Sequence, residues 1–351
     1  MQQLNEHRPR PRIGLLPTGL KIYWGQYPRL EALGRAMAGQ LRERLDRIGE
    51  VVAPDLVDTP EKAEAAAAFF RARPVDLLLV FPFGYTTGMC VAPLAGALDV
   101  PIRLLNAHVD RSYDYRNADT TEYLYHEGVC CIPEYAGMLV ALGKRFAVRT
   151  GAFSDERLWR EIEADCRGAA AARAFREQNF AVIGNTYTHM TDMPVDEHRL
   201  LRTTGRLLVR PEVEEVLEAY RRVRPEQAAD MIGQFRAMYA VDRTVLDEHL
   251  DLSARIAVAF DEVVARHAIG AFGYYWWGES ETLTQLRAQS ALAVSRLAAR
   301  GCPGVTEGDI KTAMAMKLLG LLGGGGMFVE FFSMDFDENF VLMGHDGPSN
   351  V

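Results

Sequence analysis

Asp76-Leu-Leu-Leu-Val-Phe81 sets five consecutive apolar residues behind a single acid. A run that short and without polar alternation predicts a strand buried on both faces, as in a parallel sheet covered by helices. The flanking sequence agrees. Thr59 and Pro60 have the order of an N-cap and a first-turn proline, for a helix that runs through Phe70. Further upstream, Val51 to Ala53 is a second short strand. Leu30, Leu33, Met37, Leu41, Leu45 and Ile48 recur every three or four residues, which predicts the apolar face of a helix. Ile13 to Leu16 and Ile102 to Leu105 complete an alternation of strand and helix, and that alternation predicts an α/β fold.

In such sheets ligands gather beyond the carboxyl ends of the strands. The segments at those ends are Pro17 to Gly25, Pro82 to Gly88 and Asn106-Ala-His108, all rich in glycine, aromatic and polar residues. Ordinary loop chemistry also explains them. After a charged helical connector, a second unit opens at Phe180-Ala-Val-Ile-Gly-Asn185. It continues with a strand at Leu207 to Val209, helices near 212–224 and 243–268, a strand at Ala271 to Trp277, and helices near 284–300 and 308–322. Met327 to Val351 reads as strand, turn, strand.

The chain of 351 residues is 48% apolar and carries a net charge of −8, with acids and bases interspersed. It has no basic surface of the kind nucleic-acid binding needs. Arg8, Arg10 and Arg12 are the exception, and their proline-broken context predicts a frayed tail. No segment approaches the ~20 apolar residues of a membrane span. The first dozen residues have no apolar signal-peptide core, which predicts a cytoplasmic protein. The five cysteines, Cys90, Cys130, Cys131, Cys166 and Cys302, form no CxxC pair and predict reduced thiols. No GxGxxG follows the first strand, no GxSxG elbow occurs, and the glycines at 323–326 lack the Lys-Ser/Thr of a phosphate loop. A dinucleotide-dependent oxidoreductase is therefore disfavoured.

Residues with chemical potential lie late in the chain. In Val305-Thr-Glu-Gly-Asp309, Thr306 and Asp309 have capping-box spacing, and Glu307 falls where a helix dipole favours a carboxylate. Glu330 lies in an aromatic strand, Gly326 to Met334. It either points outward from an edge strand or is a carboxylate that burial would force into a pair or onto a metal. His345 follows an apolar strand at a glycine-flanked turn, and a structural role is also open to it. Two carboxylates and an imidazole would suit a hard-to-borderline divalent ion such as Mn²⁺. Tyr274, Tyr275, Trp276 and Trp277 read as a buried strand or as the floor of a sugar site.

These stretches resemble the L-arabinose isomerase family, in the L-arabinose/L-fucose isomerase superfamily. Leu292-Ala-Val-Ser-Arg-Leu297 and Glu307-Gly-Asp-Ile-Lys-Thr-Ala313 are similar to its LAVQRL and GEGDWKTA. Met327-Phe-Val-Glu330 resembles FMED, Leu342-Met-Gly-His345 resembles LGAH, and Thr18, Gly19 and Gly25 fit its TGSQHLYG loop. Tyr125-His126-Glu127-Gly128 fits a histidine-glycine segment of the family. The resemblance implies two doubly wound α/β domains with parallel sheets, at 1–177 and 178–326. The start of a β-rich C-terminal domain would follow at 327–351.

The same resemblance implies a metal-dependent aldose–ketose isomerase working through an ene-diol. Glu307 and Glu330 would be the acid–base pair. Glu307, Glu330 and His345 would bind Mn²⁺, or another divalent cation such as Co²⁺. Lys21, Tyr85 and His126 would contact a monosaccharide substrate, with His126 reaching a neighbouring subunit's site in a homo-oligomer. Lys21 stands where the family has glutamine, Trp24 where it has tyrosine, and Phe331 where an acid follows the second ligand. On this resemblance the chain stops before the family's fourth metal ligand, a histidine about a hundred residues further on. The alternative is a non-catalytic sugar-binding relative with an incomplete metal site.

Overall fold

A computed structural model describes residues 8–277 and 280–349. They form two compact units, one of Pro9–Arg173 and one of Arg8 with the chain from Ala174 onward.

The first unit is built on five strands: β1 (Arg12–Thr18), β2 (Glu50–Val52), β3 (Leu77–Pro82), β4 (Ile102–His108) and β5 (Phe146–Ala152). Their order is β2-β1-β3-β4-β5, and every pairing is parallel. The apolar run that announces the fold is the central strand, buried along its whole length. Alternate side chains of a strand point to opposite faces, and the two cores divide accordingly. Leu77, Leu79 and Phe81 pack with Leu30, Met37 and Leu41 of the helix Pro28–Leu45 and with Ile162 of the helix Glu156–Arg176. Leu78 and Val80 pack with Ala63, Ala66 and Phe70 of the helix Pro60–Ala72 and with Tyr135 and Leu139 of the helix Gly128–Ala141. Each fully buried Leu or Val contributes about 1.5–3 kcal/mol relative to exposure. The Thr59 side chain caps the helix Pro60–Ala72 by accepting from Lys62 N at 3.3 Å.

The expected fraying of the arginine-rich start is corrected from Arg8 onward. Arg12 lies in β1 and donates to Asp76, whose side chain is completely buried, while Arg8 Nη2 donates to Gly323 O at 2.9 Å. A buried carboxylate needs counter-charges, and Asp76 holds Arg12 in place.

The second unit carries a parallel sheet of β6 (Asn179–Gly184), β7 (Ile269–Tyr275) and β8 (Gly304–Val305), in the order β6-β7-β8. The strand expected at Leu207–Val209 is reduced to one bridge between Val209 and Ala181, with hydrogen bonds running beside β6. Pro211 lacks the N–H that would extend that ladder. One face of the sheet packs Phe272, Tyr274 and Trp276 against the helix Asp247–Arg266, chiefly through Phe260 and Ala257. The other packs Phe180, Val182 and Val305 on Ile310, Ala313 and Met316 of the helix Ile310–Leu321.

The single helix expected near 284–300 is two, Glu281–Ala288 and Ala291–Ala299. Ser290 breaks it: its buried hydroxyl lies 2.7 Å from Arg287 O and 3.0 Å from the Tyr274 hydroxyl. The helices Glu197–Thr204 and Pro225–Met238 add to the expected set. Strands β9 (Glu330–Asp335) and β10 (Phe340–Gly344) pair antiparallel, as the strand–turn–strand reading requires. They leave Phe331, Phe332, Met334, Phe340, Val341, Leu342 and Met343 exposed. Among the described residues no helix is long and apolar enough to cross a membrane.

Candidate functional site

In the second unit β6, β7 and β8 end side by side, and the chain leaves β8 through a tight turn, Thr306–Gly308, before the helix Ile310–Leu321. Glu307 and Gly308 both have left-handed backbone, with φ of 63° and 75°. For glutamate that conformation costs on the order of 1–2 kcal/mol. Contacts on both sides hold it. Tyr187 N donates to Glu307 O at 2.9 Å. A Cβ on Gly308 would lie 2.6 Å from Asn185 O, and one on Gly273 of β7 would lie 2.5 Å from the carbonyl carbon of Gly308.

Asp309 serves the helix end, as its spacing from Thr306 leads one to expect, but not through a capping box. Asp309 is itself the N-cap, accepting from Lys311 N at 3.1 Å and Thr312 N at 3.2 Å, while the buried Thr306 hydroxyl has no partner among the described residues. Glu307 accordingly sits before the helix and not in its first turn. Substituting Gly273 by alanine is expected to push this turn away from β7. Any Glu307-dependent activity should fall at least tenfold and stability by about 1–3 kcal/mol. Gly39→Ala, on a helix with open space around it, is the control and should change neither activity nor cooperativity. Assay and thermal melt of the two variants side by side check this.

Glu307 is half-buried, and burial holds its carboxyl pKa above the ordinary value. His345 opposes that shift, while the negative charges of Glu330, Asp309 and Asp192 add to it. Glu330 is exposed at the start of β9 and pairs in register with Gly344, next to His345. The His345 ring lies 4.3 Å from that of Phe328, and its buried Nδ1 has no partner among the described residues. A Cβ on Gly347 would lie 3.0 Å from His345 Nδ1 and 3.1 Å from Thr306 Cγ2, so the chain after β10 runs against the turn that carries Glu307. The two carboxylates and the imidazole thus influence one region. Their donor chemistry suits a divalent ion, and the orphaned His345 nitrogen leaves a ligand position open. Their spacing does not fit one: among the described residues no three His, Cys, Asp or Glu side chains are gathered closely enough to hold a metal.

Beside Glu307 stands an aromatic wall. Tyr187 lies 5.0 Å from Tyr275 and 5.7 Å from Trp277, and Tyr275 and Trp277 meet edge to face at 5.4 Å. The Arg287 guanidinium covers both, 5.4 Å from the Tyr275 ring and 5.2 Å from the Trp277 ring. The expected four-residue buried strand is therefore corrected at its end: Tyr274, Tyr275 and Trp276 are buried, but Trp277 is 56% exposed. It lies past the end of β7.

The first unit holds the three expected substrate contacts near the carboxyl ends of its strands. Lys21 is exposed and precedes the short helix Ile22–Gln26. Tyr85 follows β3, and the charge of Glu134 raises its pKa. His126 ends the helix Thr120–His126, with Nε2 3.5 Å from Asp110 Oδ2. Its ring stacks on His108 at 6.2 Å and tilts against Tyr113 at 5.0 Å, in an open cleft that also includes Glu127 and Cys130. Burial, and then the neighbouring His126, lower the His108 pKa, so His108 favours the neutral imidazole. The histidine pair was half-legible, since His108 closes one of the strand-end segments. Tyr187 and Arg287 carried no motif; only the fold places them at strand ends.

No protein-family profile matches the chain. An L-arabinose isomerase of Shouchella clausii (strain KSM-K16) is 21% identical over 338 residues, covering 93% of this chain and 68% of that protein. The relationship is distant and extends along nearly the whole chain.

Proposed function

We propose that the chain is a sugar isomerase that interconverts an aldose and a ketose, with Glu307 as the proton-transferring base. The observation that carries this reading is Glu307 itself. It is a half-buried carboxylate forced into left-handed backbone at the carboxyl ends of three parallel strands, and it feels the charges of a second carboxylate and an imidazole. Strained backbone and perturbed carboxyls concentrate where chemistry is done. The distant similarity to an L-arabinose isomerase supports the same class.

In the reaction, the Glu307 carboxylate takes the proton from C2 of the open-chain aldose, and the electrons of that C–H bond form the C1–C2 double bond of an ene-diol. As the C1–C2 double bond forms, the C1=O1 π electrons move onto O1, which takes up a proton. In the second half the O2 hydroxyl gives up a proton in exchange as its electrons form C2=O2. The C1–C2 π pair takes the proton held on Glu307 at C1, so atoms and electrons balance without an oxidant. Burial makes Glu307 a stronger base than a solvated carboxylate, which favours the abstraction. Glu330 is the partner group in this proposal, and Lys21, Tyr85 and His126 are the substrate contacts. Dependence on Mn²⁺ or Co²⁺ belongs to the same proposal and rests on the donor chemistry of Glu307, Glu330 and His345. Assembly into a homo-oligomer is proposed too, and the exposed apolar ribbon of β9 and β10 favours a covering partner. A cytoplasmic location is proposed from the five unpaired cysteines.

The test is ketose formation from a panel of aldopentoses, 6-deoxyhexoses and acidic sugars, with metal-stripped protein and with added Mn²⁺ or Co²⁺. Metal-stimulated turnover supports the whole proposal, and turnover indifferent to metal removes the ion from it. The exposure of Glu330 and the ungathered ligands favour a second reading, a sugar-binding relative without catalysis. Sugar binding without turnover of any panel member would establish that reading.

A further inference from the structure

Arg287 is set apart from other arginines of its unit. Arg296 pairs with Asp261, Arg255 with Asp251, and Arg266 with Glu215 and Glu262. Arg287 has no carboxylate partner among the described residues. A hydrogen bond from Nη1 to Trp276 O at 2.9 Å anchors the guanidinium over Tyr275 and Trp277, and among the described residues Nε and Nη2 have no partner. In a protein of net charge −8, an unpaired cation fixed in position is poised for an anion.

The placement connects it to the chemistry. The Tyr275 hydroxyl, its pKa raised first by burial, feels the positive charge of Arg287 and the negative charge of Glu307 together. The cation and the carboxylate thus act on one phenol with opposite sign. Trp277 presents exposed ring surface alongside, of the kind that stacks on the apolar C–H face of a sugar.

We propose that Arg287 receives an anionic group at the end of the substrate remote from its carbonyl, so that the preferred ligand is an acidic sugar and not a neutral pentose. Binding of such a ligand depends on the isomerase reading only in calling the sugar an aldose. The planar guanidinium, immobilised by two rings, matches a carboxylate or a phosphate ester through two parallel N–H donors. The shared chemistry is a fixed anion on a polyhydroxyl chain, and the two sources are a uronate carboxylate and a terminal phosphate.

The experiment measures equilibrium binding to the full chain by calorimetry and by tryptophan fluorescence. The probes are D-glucuronate, D-galacturonate, D-arabinose 5-phosphate and L-arabinose, and the proteins are wild type, Arg287→Gln and Arg287→Lys. At least one acidic sugar should bind about 10–100-fold more tightly than L-arabinose, the gain expected for a charge-assisted pair. Arg287→Gln should erase that preference and Arg287→Lys restore part of it, with circular dichroism unchanged. Comparing the uronates with the phosphate identifies the anion. Equal or tighter binding of L-arabinose, a preference that survives in Arg287→Gln, or no binding of any probe would overturn the proposal. Turnover is read separately. Acidic preference without ketose formation sinks the isomerase and leaves this inference standing, and turnover of neutral pentoses without acidic preference does the reverse.

Discussion

Glu307→Gln is expected to lower aldose-to-ketose turnover by about 10³-fold or more, in the range found when a positioned general base is removed. Glutamine keeps the shape of the side chain and its hydrogen-bonding reach, so KM should move only a few-fold. The stability effect has the opposite sign. Burial and the negative charges of Glu330, Asp309 and Asp192 all disfavour the ionised Glu307, and only His345 favours it. Removing the charge relieves that repulsion and desolvation, and the variant should melt no lower than the wild type. Loss of activity without loss of stability marks a residue retained for chemistry. A control at Glu330, exposed on β9, sharpens the result. Glu330→Gln should cost less turnover than Glu307→Gln if Glu330 assists and does not itself abstract the proton. Unimpaired turnover in purified Glu307→Gln would refute the assignment, whatever happens at Glu330.

The parallel sheets could be read from the sequence because their signals are local and mutually consistent. The uninterrupted run at 77–81, the cap and proline at Thr59 and Pro60, and the three-to-four-residue spacing from Leu30 onward each have one structural solution, and all three appear. The turn at Glu307 had two. Thr306 to Asp309 satisfies the spacing of a capping box, and only packing against Gly273 and Asn185 forces the left-handed alternative. That packing joins residues far apart in the chain, so no local pattern reports it. The same applies to Arg287, an ordinary helical arginine until β7 places two rings beneath it. The arginines at 8–12 look like a solvated tail because nothing near them in sequence announces Asp76 as the partner of Arg12 or the Gly323 carbonyl as that of Arg8. Sequence thus exposed the frame and the carboxylate. Long-range contacts decided the backbone around the carboxylate and the cation beyond it.

Asp76→Ala is expected to lower the stability of the first unit by about 3 kcal/mol, toward the lower end of the loss seen when one member of a buried ion pair is removed. The residue stands just before β3, and its side chain has no exposed surface. Oδ1 accepts from Arg12 Nη2 at 3.2 Å and Arg173 Nε at 2.7 Å, while Oδ2 accepts from Arg12 N at 2.9 Å. Its own backbone N–H donates to Arg12 O at 2.7 Å, so the residue ties the start of β1 to the start of β3. Alanine would remove the acceptor of the Arg12 guanidinium and of its strand-end N–H, together with the Asp76 bond of Arg173. The arginine side chains are 37% and 26% exposed, so water can reclaim part of their hydration, which keeps the loss below the full penalty of an isolated buried charge. Asp76→Asn retains an acceptor for Arg12 N and should lose about half as much. Denaturant unfolding followed by circular dichroism measures both, and the midpoint should shift without a change in slope. A loss under about 1 kcal/mol in Asp76→Ala would mean that the pair is no stronger than a surface bridge. The parallel register of β1 and β3 would then rest on the backbone ladder and the apolar faces.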